Sequence, residues 1–173
     1  MIVSIQKFRQ HVQTAIEDPQ LEAMLQAVES LIRKYTNNNF QNRKIRFVAA
    51  PTAEGITVTS PYLNEGDTVQ ITQSNYNDGL YSVEKNTDGA LIIPTKYEET
   101  AALVTKVEYP EDVQMGAINM VKWDMESRDK IGIASETISR HSVAYFNMDE
   151  ANTRLSYPTA IVGFLKPYIK ARF

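Results

Sequence analysis

Apolar positions recur with two different periods along this chain, three to four residues at its ends and two in its middle. Ile5, Phe8, Val12 and Ile16 are spaced by three and four. That spacing predicts a short amphipathic helix with Ser4 as its cap. Asp18-Pro19 then restarts the chain, since Asp favours the cap and Pro in the first turn loses no intrahelical hydrogen bond. From there Leu21, Leu25, Val28, Leu31, Ile32 and Tyr35 predict a second helix, with Glu22 and Gln26 on its polar side. Thr36-Asn37-Asn38-Asn39 ends it, because Asn accepts left-handed and turn conformations. Phe40 is expected to fold back onto the helix end.

After Arg43 the period becomes two, and turn residues arrive every ten positions or so. Six strands are predicted: Ile45–Ala49, Gly55–Ser60, Thr68–Thr72, Leu80–Lys85, Ala90–Pro94 and Ala102–Tyr109. Pro51, Asn64-Glu65-Gly66-Asp67, Asn75-Tyr76-Asn77-Asp78-Gly79 and Thr87-Asp88-Gly89 separate them, and Asp-Gly pairs are strong local turn signals. So many short strands predict a small barrel or sandwich, closed so that few edges stay exposed.

The helical period returns at Pro110-Glu111-Asp112. Val113, Ala117, Val121 and Met125, with Ile118 and Trp123, predict a helix to about Arg128, its acidic first turn matching the helix dipole. Ile131-Gly132-Ile133 breaks it, and Ser135 to Phe146 is polar and β-rich, as in a projecting strand or hairpin. Tyr157-Pro158 opens a last helix with Ile161, Phe164, Leu165, Tyr168 and Ile169 on its apolar side, kinked or shortened by Pro167. Helices before and after the β segment can pack together only around an insertion. The expected fold is therefore α+β: a core of about four helices from 1–43 and 110–173, with an inserted β module over 44–109.

Charge and composition narrow the function. The formal charge of −3 comes with no basic block beyond Asn42-Arg43-Lys44 and Lys170-Ala171-Arg172, so a phosphate-gripping surface is not expected. Cysteine is absent, which excludes disulfides, thiolate nucleophiles and zinc–thiolate sites. No secretory leader and no run long enough to cross a bilayer are read, so no membrane partner is expected. His11 lies on a polar helix face and His141 in a polar strand, neither with a motif partner for general-base work. Asp124, Glu126 and Asp129 read as a solvated helix face, Glu98-Glu99 matches no metal loop, and Asp78 is explained by its turn. No catalytic residue, metal site or cofactor site is expected. A small barrel can bind single strands on aromatic platforms, and Tyr62, Tyr76 and Tyr81 are available for it. Lys85 and Lys96 face Asp67, Asp78, Glu84, Glu98 and Glu99, a balance unfavourable for phosphates, so these tyrosines are expected in the core or an interface.

Three segments carry a family resemblance. Leu21-Glu22-Ala23-Met24-Leu25-Gln26-Ala27-Val28-Glu29-Ser30-Leu31-Ile32-Arg33-Lys34-Tyr35-Thr36-Asn37 is similar to a helix of small and aliphatic residues ending Ile-x-x-Tyr-Thr. After the helix that starts at Pro110 comes Gly132-Ile133-Ala134-Ser135-Glu136-Thr137-Ile138-Ser139-Arg140-His141-Ser142-Val143-Ala144-Tyr145. It resembles a Gly-x-x-Ser-Glu-x-Ile-x-x-x-Ser-Val-x-Tyr segment. The close, Tyr157-Pro158 with an aliphatic helix and a basic end, is the third. In this order they resemble the head–tail connector (adaptor, or head-completion) proteins of tailed bacteriophages. Residues 44–109 depart from the simplest members, and Gly66–Ile71 and Asn77–Val83 resemble accessory β modules of phage structural proteins.

The resemblance implies a virion structural protein of the neck, assembled in the host cytoplasm, that forms a ring of about a dozen copies under the portal. The ring would extend a DNA channel through which double-stranded DNA passes without specific binding, and would offer a platform to the next neck or tail protein. Phe164, Lys166, Tyr168, Lys170, Arg172 and Phe173 are the expected portal contacts. Glu136, Ile138, Arg140, His141, Val143 and Tyr145 are expected to meet a neighbouring subunit or a tail protein by strand addition. A tail-completion or tail-terminator protein and a β-barrel nucleic-acid-binding module are the alternatives.

Overall fold

The computed structural model describes residues 1–127, 135–138, 141–144 and 153–171. The protein is α+β, and its backbone divides into two compact units, one of Met1 with Asn38–Tyr109 and one of Ile2–Asn37 with Pro110–Phe173. In the second unit, helix α1 spans Ile5–His11 and α2 spans Asp18–Thr36. The Ser4 side chain accepts from the Lys7 amide and caps α1. The helix stops short of the expected Ile16: Val12 is extended, and the β-branched Val12, Thr14 and Ile16 lose rotamer freedom in a helix. Arg9 holds the connection instead, donating to the carbonyls of Thr14 (3.0 Å) and Ile16 (2.7 Å) and to Asp18. Glu17, not Asp18, is the cap residue of α2, and Asp18 lies in the first turn. Asn37 takes the left-handed conformation that ends it (φ 48°).

Helix α3, Glu111–Ser127, packs against α2. Phe8, Leu21, Leu25, Ile32, Val113, Ala117, Ile118, Met120 and Leu165 are buried in this unit. Glu29 is buried too, and its carboxylate accepts from the Ile2 amide at 3.1 Å. His11 is exposed, as expected.

The first unit holds β1 (Gln41–Ala49), β2 (Ile56–Thr57), β3 (Thr68–Thr72), β4 (Gly79–Ser82), β5 (Glu84–Lys85), β6 (Leu91–Ile93) and β7 (Ala102–Val107). They form two antiparallel sheets, ordered β1-β7-β3-β4 and β2-β6-β5. Val69, Ile71, Ala102 and Val104 of the first and Ile56 and Ile93 of the second share one core with Val83, which lies between β4 and β5. One continuous stretch joins the sheets: β4 pairs with β3, Val83 donates to the Asp67 carbonyl, and β5 then pairs with β6. No pairing closes the layers into a barrel among the described residues, so β1 remains an edge. A bulge between Asn42 and Arg46, with exposed Arg43, Lys44 and Arg46, blunts that edge. Phe40 packs on Tyr109, ring centroids 4.9 Å apart.

Candidate functional site

The C-terminal segment is built onto α3. Strands β10 (Thr153–Arg154) and β11 (Tyr157–Pro158) pair, α4 covers Thr159–Val162, and a 3-10 turn covers Gly163–Tyr168. The helix expected here to be kinked or shortened by Pro167 is four residues of α-helix followed by this tighter turn, since the ring of Pro167 cannot sit over the carbonyl four residues back in an α-helix. The tip of the Phe164 ring seats on Gly116 of α3, where a Cβ would come within 2.1 Å of Cζ. The Tyr168 hydroxyl donates to both oxygens of Asp112 at 2.8 Å, which pushes its pKa up through that bond and partial burial. Tyr157 is buried, packs its ring at a tilt against Trp123 (centroids 5.4 Å apart) and donates to Asp124 at 2.6 Å. Asp124 is thus a structural acceptor, not the solvated carboxylate expected from the sequence; Glu126 is exposed, and Asp129 lies outside the described residues.

Beside this seat runs an open groove of about 580 Å³ with Met115, Trp123, Ile161 and Phe164 among its walls. Lys166 and Lys170 project as exposed cations, whereas Phe164 and Tyr168 face α3. Arg172 and Phe173 lie outside the described residues. So do Arg140 and Tyr145 and the side chains of Glu136, Ile138, His141 and Val143. The backbone of β8 (Ser135–Ile138) and β9 (His141–Ala144) pairs antiparallel, with Glu136 opposite Val143 and Ile138 opposite His141.

The first unit presents a second feature. Tyr62 and Tyr76 are exposed rather than in the core, and only Tyr81 packs against it, its hydroxyl donating to the Asn77 carbonyl at 3.0 Å. Tyr76 (72% exposed) and Tyr97 (53%) pair with ring centroids 5.5 Å apart. The loop beneath them is fixed by two side chains that sequence reading passed over. Glu99 accepts from the Ser74 hydroxyl (2.6 Å), the Asn75 and Tyr76 amides (2.8 and 3.1 Å) and the Asn77 side chain (2.7 Å). Asn77 is fully buried and also bonds the Tyr97 carbonyl and the Lys96 and Tyr97 amides. An Asn-Asp-Gly turn advertises a turn, not an anchor, and no local pattern ties it to Glu99.

These donors, the Ser74 hydroxyl first and the Asn75 amide next, hold the Glu99 carboxyl at a pKa of about 2. Since the folded value lies below the unfolded one, Glu99 stabilises the loop fully above the ordinary carboxylate range. That contribution is lost as pH falls through about 2. In an NMR titration the Asn75 and Tyr76 amides are expected to follow a midpoint near pH 2 and to lose it in Glu99→Gln. A midpoint in the ordinary glutamate range would contradict the network.

Among the described residues no cluster of His, Asp or Glu could hold a metal, and no helix is long and apolar enough to cross a membrane. No family model and no curated protein matches the chain. Among solved structures it is similar to a chain in the neck of an empty gene transfer agent particle computed with C6 symmetry. Identity is 13%, over 99% of this chain and 91% of the other, with a TM-score of 0.38.

Proposed function

We propose that this chain is a non-enzymatic structural protein of a phage-type neck, a connector that forms a ring between portal and tail around the DNA channel. One observation carries the reading. The three segments that resemble the connector family, 21–37, 110–145 and 157–173, belong to one compact unit, and the departing β segment forms the other. A family's assembly surfaces belong with the part of the chain that resembles it. The net charge of −3 suits a channel wall that DNA slides past. Portal docking falls to Lys166 and Lys170, held outward by a segment that Phe164 and Tyr168 clamp to α3. Strand addition falls to the β8–β9 pair.

Co-sedimentation with a portal ring tests the reading. The wild-type chain is expected to pellet with the ring, and Lys166→Ala/Lys170→Ala to bind roughly tenfold or more weakly, as loss of two interfacial cations does. Substitution is preferable to truncation at residue 157, which would remove buried Val162 and Leu165. A wild-type chain that ignores the portal and binds tail-tube ends would make it a tail-completion protein. Salt-sensitive binding to single-stranded DNA instead would make the β unit a nucleic-acid module.

A further inference from the structure

We propose that the loop end of the β unit carrying Tyr76 and Tyr97 is a docking tip for another protein, where it takes an arginine-bearing segment of that partner. Charge and geometry carry this, independently of the connector reading.

The β unit holds six lysines and arginines against nine aspartates and glutamates, so it carries the whole formal charge of −3. Pairing of Thr72 with Leu103 and of Ala49 with Ala102 brings the loops after β1, after β3 and before β7 to one end of the sheet. All three are tied together. The Glu99 amide donates to the Pro51 carbonyl and the Thr95 hydroxyl to the Thr52 carbonyl, while the side chains of Glu99 and Asn77 join the other two loops. Glu54, Asp78, Glu98 and Glu99 lie in these loops, with Lys96 the single basic residue among them. The excess of acid is therefore gathered at this end, and the rest of the unit is balanced. Tyr76 and Tyr97 stand here on fixed backbone: the Tyr76 amide donates to Glu99, and Asn77 holds both the amide and the carbonyl of Tyr97. Exposed aromatic rings fixed in this way lose little entropy when a partner covers them, which is what an interface anchor requires.

The chemistry of the tip decides its occupant. An acidic surface repels phosphates, which disfavours a nucleic acid. A metal ion needs carboxylates converging on one point, and among the described residues no such group is formed. Glu99 is already occupied by its loop donors and Asp78 accepts from the Ser74 amide, whereas Glu54 and Glu98 are exposed. A guanidinium uses rings and carboxylates at once, stacking on an aromatic face and forking onto a carboxylate. An ammonium lacks both the planar stack and the fork. Small ligands need a concave site that covers most of their surface, whereas rings as exposed as these are covered only by a wide partner. Among the described residues Arg9, Arg46 and Arg154 are already held, by Asp18, Thr105 and Tyr35. The arginines are therefore placed on a different protein and not on a second copy.

An NMR titration of the isotope-labelled full chain with a Gly-Arg-Gly-Arg-Gly peptide blocked at both ends, in low and high salt, tests this. The amides of 74–78 and 96–99 are expected to shift, and those of α2 and α3 to stay in place. Tyr76→Ala/Tyr97→Ala is expected to weaken binding roughly tenfold. Glu54→Gln/Glu98→Gln is expected to weaken it roughly fivefold and to remove most of its salt dependence. The matching lysine peptide is expected to bind about threefold more weakly than the arginine one, or worse. All four substituted side chains are exposed, so the spectra of the unbound variants are expected to overlay wild type away from the tip. No shift at the tip, an equal response to the lysine peptide, or tyrosine variants that bind like wild type overturns the proposal. An oligothymidine that moves the same amides would make the occupant a nucleic acid and overturn it too. So would shifts that grow with the chain's own concentration and vanish in the tyrosine variant, since the occupant would then be a second copy. Lys166→Ala/Lys170→Ala is expected to keep peptide binding, so failure at the tip and failure of portal docking are told apart.

Discussion

Alanine at position 116 is expected to destabilise the helical unit by about 1–3 kcal/mol, the range seen when a filled core is overpacked. In an ordinary helix interior the change would stabilise, since Gly costs about 1 kcal/mol relative to Ala. Here the new methyl meets the Phe164 ring at 2.1–2.5 Å, and that contact outweighs the propensity gain. To yield, the half-buried ring must leave its seat on α3 for the open groove. The C-terminal segment holding it is pinned on one side by buried Leu165 and on the other by Tyr168 on Asp112. A fall in melting temperature of roughly 2–4 °C per kcal/mol reports the loss. The fluorescence of Trp123, the one tryptophan in the chain, reports where it happens, because Trp123 shares the groove with Phe164. In Gly116→Ala/Phe164→Ala the clash is gone, so the double variant is expected to lose less than the sum of the singles. An alanine variant that melts above wild type would mean that Phe164 does not seat on Gly116.

Gly116 also marks where sequence reading stops. Period alone located α2, β3 and α3, because each buries one face against a partner and the apolar spacing states which face. It placed β3 at Thr68–Thr72 to the residue. It overran α1, where apolar spacing continues but β-branched residues oppose the helix, whereas in the C-terminal segment Pro167 shortened the helix that spacing alone would extend. It also missed that β4 and β5 are one stretch serving two sheets, since pairing partners are not written in a local pattern. Of the expected contact residues, the structure separates Lys166 and Lys170, which are exposed, from Phe164 and Tyr168, which are used within the unit. Both sets share one helical period, and only the partner surface tells them apart. The Tyr76–Tyr97 pair joins residues far apart in sequence through Glu99, which no spacing rule could supply.

The β unit depends on its buried asparagine in a way that gives the second large effect. Asn77→Ala is expected to cost about 2–4 kcal/mol, because it strips partners from several backbone groups at once. The side chain donates to the Tyr97 carbonyl (2.9 Å) and to Glu99 (2.7 Å), and accepts from the Lys96 and Tyr97 amides (3.2 Å each). Only the backbone of residue 77 keeps its bonds, to the Ser74 and Tyr81 hydroxyls. Asn77→Asp keeps the shape but turns a donor into an acceptor facing the ionised Glu99 and the Tyr97 carbonyl. Burial and the neighbouring charge raise the new carboxyl's pKa in the folded state. Its penalty is therefore full at neutral pH and shrinks as pH falls below that raised value and the group takes a proton. Urea midpoints are expected to rank wild type above both variants at neutral pH, with the aspartate variant gaining on wild type toward pH of about 5. Hydrogen exchange is expected to show protection lost across β3, β4 and β7 and kept in α2 and α3. Loss spread evenly over both units would mean that Asn77 is not a local anchor of the tyrosine tip.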